Sequence, residues 1–359
     1  MHFLFLCDQL AGYWHYCICQ LADRVPGGTV TVVARPGSAH VPFVFPEHPG
    51  VVILDRSAVD WPAMQRLLVD RPDFVYISGW RDPCYRRIGR MMRSTAPVVM
   101  GSDNLWYGSP RQYLAVIGLQ SVLRGFCTHM WVPGLYQYEY ARRLGFDRER
   151  ILTGLYTASG DLYDSLARDR ASIPRTERIV FVGSLIESKG VRELVAAFRG
   201  LEDRFPTWTL RLVGDGPLRA ELEGMSSRIE VTGFIQPSQL PAMFRDAGAF
   251  CLPSHKDHWA VVIHEACCAA LPVVATTACG AVSTLVYDGY NGFRCAPRSV
   301  PALQAALEGV MQLDPATALE YGRRSRELSY QFTPDLWVTK VLSTLPADRR
   351  PADSGSASL

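Results

Sequence analysis

Short apolar runs alternate with helical stretches along the whole chain, and the rhythm is played out twice. In the first half, strand-like runs fall at 2–7, Thr29–Ala34, Val51–Leu54, Phe74–Ser78, Pro97–Gly101 and Thr128–Val132. Helical patterns separate them near 12–24, 60–70, 83–94, 109–125 and 134–144. The second half has strands at Arg178–Gly183, Thr209–Gly214, Ile229–Thr232, Ala249–Leu252 and Val273–Ala275, with helices near 190–204, 217–225, 238–246, 259–270 and 300–312. Strands that must each be followed by a helix cannot pair as hairpins, so they line up in parallel with the helices on the faces. The expectation is an α/β chain of two doubly wound, Rossmann-like domains, with ligands at the C-terminal ends of the strands. A chain of 359 residues is long enough for two such cores. The seam falls near 158–174, where turn-forming residues break the pattern. The expected division is 1–165, 166–330, a C-terminal helix at 331–345 that packs back toward the first domain, and a disordered tail over 346–359.

Composition excludes several classes. The fractions of hydrophobic (48%) and charged (20%) residues are those of a globular protein in water. A formal charge of +2 gives no reason to expect nucleic acid as a partner. No window approaches the ~20 apolar residues of a membrane span. The N-terminus lacks a positive leader and meets Asp8 early, the pattern of a first strand rather than a signal peptide. The ten cysteines sit mostly in apolar runs without metal spacing, which points to buried thiols in the reducing cytoplasm and to no metal site. Of the 37 Lys and Arg residues only Lys189, Lys256 and Lys340 are lysine, so a retained lysine marks a place where a guanidinium fork does not suit.

The segment from Asp257 to Leu271 places two acids, Asp257 and Glu265, eight residues apart around a run apolar on nearly all sides. Such a run reads as a buried helix. A carboxylate there is costly unless something holds it, either a structural partner or a ligand rich in hydroxyls. Val182-Gly183-Ser184-Leu185, ending in Lys189-Gly190, lies between a strand and a helix. Its small residues allow close backbone approach, its N–H groups can cradle phosphate, and Lys189 supplies a compact charge. A lysine–phosphate contact near ~4 Å contributes at most about 4 kcal/mol at an effective dielectric of ~20. Val213-Gly214-Asp215-Gly216-Pro217 is a strand-to-helix turn without dinucleotide-fingerprint spacing, and Gly233-Phe234 ends another strand beside a prospective base or ribose pocket.

Taken in order, these segments, followed by Leu252-Pro253-Ser254, Asp257 with Glu265-Ala266, Leu271-Pro272-Val273-Val274-Ala275-Thr276 and Tyr287-Asp288-Gly289-Tyr290-Asn291-Gly292, resemble the donor half of retaining glycosyltransferases of family four (group 1 glycosyl transferases). The resemblance is dense over 178–297. It implies the GT-B architecture, two Rossmann-like domains facing a central cleft, with an N-terminal acceptor-binding and a C-terminal donor-binding domain. By this resemblance Glu265 holds the donor ribose, Asp257 contacts the transferred sugar, and Lys189 binds the diphosphate. The N–H groups of Val261 and Val262 face the same phosphates, and Gly183, Ser184, Gly233, Phe234, Trp259 and Ala260 line the donor site. The sequence departs from the family at several points. Asp257 is shorter than the usual Glu, and His258-Trp259-Ala260 replaces a Gly-aromatic-Gly turn. Ser184 stands where an arginine is usual, leaving Arg192 or another arginine to substitute. Thr284 and Ala281 replace a common glutamate and a common glycine.

On the acceptor side, Gly12, Tyr13 and Trp14 follow the first strand, where relatives carry a Gly-rich loop, and the aromatics suit sugar stacking or packing. Asp103, after the strand Pro97–Gly101, is the candidate to accept the acceptor's proton or orient the sugar, or else an ordinary cap. The helix 83–94 carries Arg86, Arg87, Arg90 and Arg93, which is either a solvated face or a basic surface for anionic lipid or a phosphorylated acceptor. The expected activity is retaining transfer from a nucleotide-diphosphate sugar to a saccharide, lipid-linked saccharide or small-molecule hydroxyl. No cofactor or metal is expected, and peripheral contact with the inner face of the membrane is. An epimerase of the same fold and a catalytically silent nucleotide-sugar-binding protein remain as alternatives.

Overall fold

The computed structural model describes residues 1–35 and 44–351. By contacts these divide into one unit of 1–35, 44–157 and 334–351, and a second unit, Ala158–Thr333.

The first unit runs β1 (His2–Gln9), α1 (Gly12–Arg24), β2 (Thr29–Arg35), β3 (Val51–Asp55), α2 (Trp61–Arg66), β4 (Phe74–Ile77), α3 (Pro83–Met92), β5 (Val98–Gly101), α4 (Pro110–Arg124), β6 (His129–Val132), α5 (Leu135–Arg143) and β7 (Ile151–Thr153). Its strands form one parallel sheet in the order β3-β2-β1-β4-β5-β6-β7. Strand β1 is central, and its run from Phe3 to Cys7 is buried on both faces, as a parallel strand between two helix layers must be. Proline at the first turn and an aspartate or serine cap start α2, α3 and α4; Ser109 and Gln112 form a reciprocal capping box on α4.

The second unit opens with a short 3-10 turn (Gly160–Tyr163) and α6 (Asp164–Asp169). It continues β8 (Arg178–Val182), α7 (Val191–Arg199), β9 (Thr209–Val213), α8 (Arg219–Leu222), β10 (Ile229–Gly233), α9 (Leu240–Arg245) and β11 (Ala249–Leu252). It closes with α10 (Val261–Cys268), β12 (Val273–Thr276), α11 (Val282–Leu285), β13 (Gly292–Cys295), α12 (Val300–Met311) and α13 (Pro315–Ser329). The sheet is parallel in the order β10-β9-β8-β11-β12-β13. Both sheets are doubly wound, and the strand order reverses between β1 and β4 in the first unit and between β8 and β11 in the second. Those reversals open crevices at the strand C-termini.

The last helix, α14 (Pro334–Ser343), belongs to the first unit. Trp337, Val338, Val341 and Leu345 enter the core beside Phe5, Trp14 and Trp131. The Trp337 indole lies 4.9 Å from Trp131 and 5.4 Å from Trp14, and its N–H donates to Leu155 O at 3.2 Å. Lys340 anchors the same helix by donating to Thr153 O at 2.7 Å.

Of the expected tail, Ala347–Arg349 form a 3-10 turn and residues 352–359 lie outside the described residues. Among the described residues no helix is long and apolar enough to cross a membrane. All ten cysteines are free thiols.

Candidate donor and acceptor sites

The second unit gathers three loops at the C-terminal ends of its strands. After β8 the chain makes a 3-10 turn over Glu187–Lys189 and enters α7 through Gly190, whose φ of 68° lies in the left-handed region. A Cβ there would meet Pro253 O at 2.2 Å, so only glycine lets the lysine loop lie this close to the loop after β11. The two loops are further tied by the His255 N–H to Ser188 O (2.8 Å) and by His255 Nε2 on Glu193 Oε1 (2.8 Å). Gly214 makes a second close approach, since its Cβ would sit 1.9 Å from Gly183 O.

Across the β8/β11 reversal, Lys189 Nζ meets Asp257 Oδ2 at 2.5 Å. The sequence placed these residues 68 positions apart in one site; the fold puts them in direct contact. The other Asp257 oxygen accepts from the Trp259 N–H at 3.3 Å, and the backbone of Asp257 pairs with Ala278 and Gly280. This short acid is therefore held onto the lysine and its own loop.

Ala260 precedes α10 with φ 70° and ψ 73°, a left-handed conformation in a residue with a Cβ. It turns the chain so that α10 starts abruptly. The N–H groups of Val261 and Val262 find no acceptor among the described residues, which leaves a helix start open to an anion. One turn on, Glu265 is half-buried, and its carboxylate makes no hydrogen bond or ion pair among the described residues. Desolvation alone raises it to about 7. It also lies near the buried Tyr163 phenol. The neighbouring His264 is satisfied internally. Its Nδ1 accepts from the Ala158 N–H at 2.9 Å, its Nε2–H donates to Ser329 O at 3.0 Å, and burial lowers it to about 4.

Two expectations for this site change. Trp259 is buried, edge-on to Phe332 at 5.3 Å, so its ring belongs to the core and only its backbone lies in the loop. Arg192 forks onto Glu221 with two bonds of 2.7 Å, so it does not stand in for the arginine replaced by Ser184. Gly233 (φ 79°) ends β10 beneath the Arg219 guanidinium, and Phe234 follows half-buried. Thr284 lies on α11, while Ala281 is buried and donates its N–H to Trp259 O at 2.8 Å.

In the first unit, Asp103 follows β5 and accepts from the Tyr156 phenol at 3.3 Å. Tyr13 meets Tyr156 edge-on at 5.8 Å. Desolvation raises the phenols of Tyr76 and Tyr156 well above their usual range; next to it, the proximity of Tyr156 raises Tyr76, and that of Asp103 and Tyr13 raises Tyr156. Tyr13 thus shares Tyr156 as a neighbour with Asp103, and Gly12 opens α1 just before it. Trp14 instead is buried 4.6 Å from Tyr76, a core residue rather than a sugar platform. Sequence reasoning missed Tyr156, which lies just after β7 in Gly154-Leu155-Tyr156, a strand end that gave no pattern. Among the described residues no three His, Cys, Asp or Glu side chains come together as a metal-ligand set.

Two doubly wound parallel sheets with flanking helices are the architecture of GT-B glycosyltransferase structures. Anabaena HepE in complex with UDP matches with a TM-score of 0.72 at 17% identity, covering 96% of this chain and 99% of that one. WaaG, a glycosyltransferase involved in lipopolysaccharide biosynthesis, matches at 0.67 and 16% identity, covering 94% and 99%. At such identities the likeness is one of fold. Residues 166–328 match the family described as glycosyl transferases group 1. Over 180 residues the chain is 33% identical to the glycogen synthase of Mycobacterium tuberculosis, covering 48% of this chain and 42% of that protein. It is 28% identical over 186 residues to the alpha-D-kanosaminyltransferase of Streptomyces kanamyceticus, covering 48% of each. The matches span less than half the length of these curated relatives.

Proposed function

We propose that this chain is a retaining glycosyltransferase that moves a sugar from a nucleotide-diphosphate sugar to a hydroxyl of a saccharide, lipid-linked saccharide or small-molecule acceptor, without a bound metal. The observation that carries the reading is the meeting of Lys189, Asp257 and the open start of α10 at the strand reversal of the group 1-like unit. Lys189 and the Val261 and Val262 amides supply positive charge where a diphosphate leaves. Glu265, desolvated and without a protein partner, suits two ribose hydroxyls that donate to it. Asp257 holds Lys189 in place and lies beside the transferred sugar. In this mechanism the bond from the anomeric carbon to the diphosphate breaks through an oxocarbenium-like state. The acceptor oxygen attacks the face being vacated, and its proton passes to the departing diphosphate. Asp103, carried on the first unit with Tyr13 and Tyr156, orients the acceptor. The arginine face of α3, where Arg87, Arg90 and Arg93 are exposed, suits peripheral contact with the anionic inner face of a membrane.

The test is a thermal-shift panel of UDP, GDP, ADP and their sugars, followed by turnover of the stabilising donor. Wild type should show donor-dependent stabilisation and at least slow donor hydrolysis. Lys189→Ala should lower turnover by on the order of a hundredfold or more. Near-normal turnover in that variant sinks the assignment. Binding without turnover over any acceptor would instead mark a silent nucleotide-sugar-binding protein.

A further inference from the structure

Residues 83–138 hold six arginines (Arg86, Arg87, Arg90, Arg93, Arg111 and Arg124), no lysine and a single acid, Asp103. They contribute α3 and α4, which cover the same face of the first sheet: Tyr85, Ile88 and Met92 of α3 and Leu123 of α4 enter one core cluster. The side chains directed away from that cluster therefore share one outer layer.

Within that layer α4 is unusual. Its start is fixed by the Ser109–Gln112 box, and its inner stripe is Leu123 with Val116 and Leu119. Gln120 and Arg124 tie it to the backbone at Arg143 and Gly145. The opposite side presents Tyr113, Leu114 and Ile117 with 54%, 70% and 80% of their surface exposed, and Tyr107, just before the helix, is 59% exposed. Positions 113, 114 and 117 adjoin on a helix surface, so these side chains form one patch instead of scattered exposures. Arg111, exposed one turn before Leu114, adds a cation at its edge, and α4 carries no acid. Beside it α3 exposes Met91 together with Arg87, Arg90 and Arg93.

We infer that α4 is a membrane-docking helix. Leu114 and Ile117 enter the acyl boundary of an anionic bilayer, Tyr107 and Tyr113 sit at headgroup level, and Arg87, Arg90 and Arg93 of α3 with Arg111 of α4 meet lipid phosphates. The inference rests on the membrane-facing reading above and names the element that performs it. A second copy of this chain is a poorer occupant, because a two-fold contact through this face would bring two acid-poor arginine surfaces together.

The experiment is flotation of the full chain with vesicles of phosphatidylcholine alone or mixed with phosphatidylglycerol, at low and high salt. The variants are Leu114→Ser with Ile117→Ser, and Arg90→Gln with Arg93→Gln. Wild type should float only with the mixed vesicles, and salt should weaken it. The serine variant should lose at least about tenfold in partition while keeping its melting temperature and nucleotide binding. The glutamine variant should lose affinity and salt dependence together. A serine variant that floats like wild type while the glutamine variant is released overturns the role of α4 and leaves the basic-face reading standing. A wild type that ignores mixed vesicles overturns membrane docking altogether, with sugar transfer still judged by donor turnover. Light scattering that shows an oligomer in wild type and a monomer in the serine variant would assign the face to self-association and also overturn the inference.

Discussion

Glu265 is the residue on which the donor reading presses hardest. Its carboxyl sits at about 7 in the fold against an ordinary value of 4.5, because burial penalises the charge and nothing offsets it. A raised acid is charged more readily in the unfolded chain than in the fold. The ligand-free protein therefore loses stability as pH rises from about 4.5 to 7, on the order of 3 kcal/mol in all, and changes no further above that. Glu265→Gln should raise the melting temperature at pH values above 7, and the gain should vanish near pH 4.5. The same variant should bind the nucleotide sugar at least tenfold more weakly, since an amide accepts ribose hydroxyls less strongly than a carboxylate. Equal melting curves at alkaline pH would mean that the charge is already satisfied. The sequence revealed this residue because an acid in an apolar run is conspicuous whatever surrounds it. It could not reveal Tyr156 on Asp103, or His255 on Glu193, since those pairs join positions 53 and 62 residues apart with no local pattern to mark them. Trp14 and Trp259 misled for a related reason: an aromatic beside a strand end has the same composition whether it faces the ligand or the core.

Helix α10 carries two opposed pH responses on adjacent residues. His264, lowered to about 4 by burial, resists protonation in the fold but not in the unfolded chain, so its contribution is lost as pH falls from about 6.5 to 4. Glu265 acts in the other direction over most of that window, and the two largely offset. His264→Gln should remove one of the falling contributions, so that the urea midpoint drops less than in wild type on acidification from pH 7 to 5, although the lowered His129 still opposes Glu265 there; an unchanged pH dependence would contradict this account. The start of the helix offers a separate lever. Ala260 holds a left-handed conformation that costs a residue with a Cβ roughly 1 kcal/mol, so Ala260→Gly should stabilise by up to about that much, read as a higher urea midpoint. No gain would mean that Ala260 is not strained. That conformation, with Ala270 at φ 54°, also explains why α10 spans Val261–Cys268 rather than 259–270. Interior strands were legible because burial on both faces makes them unbroken apolar runs. The edge strands β7 and β13 were not, being three and four residues long, and neither was the polar α13.

At the scale of the whole molecule, the first unit draws on chain from both sides of the second, residues up to 157 and again from 334. A chain ending at residue 333 lacks Trp337, Val338, Val341 and Leu345, each a buried side chain of a kind that stabilises by about 1.5–3 kcal/mol. Their sum rivals the net stability of a typical domain. Hydrogen exchange on that truncated chain should show β1 and β2 unprotected while β8 and β11 keep their protection. Protection of both sheets would mean that α14 is dispensable. The closure by α14 also has a meaning in time. On a ribosome the first unit is begun before the second and completed after it: the groove lined by Phe5, Trp14 and Trp131 stays uncovered until Trp337 leaves the exit tunnel, after the entire second unit has been synthesised. For that interval the nascent chain exposes this aromatic surface, and its demand on chaperones should fall once α14 has emerged.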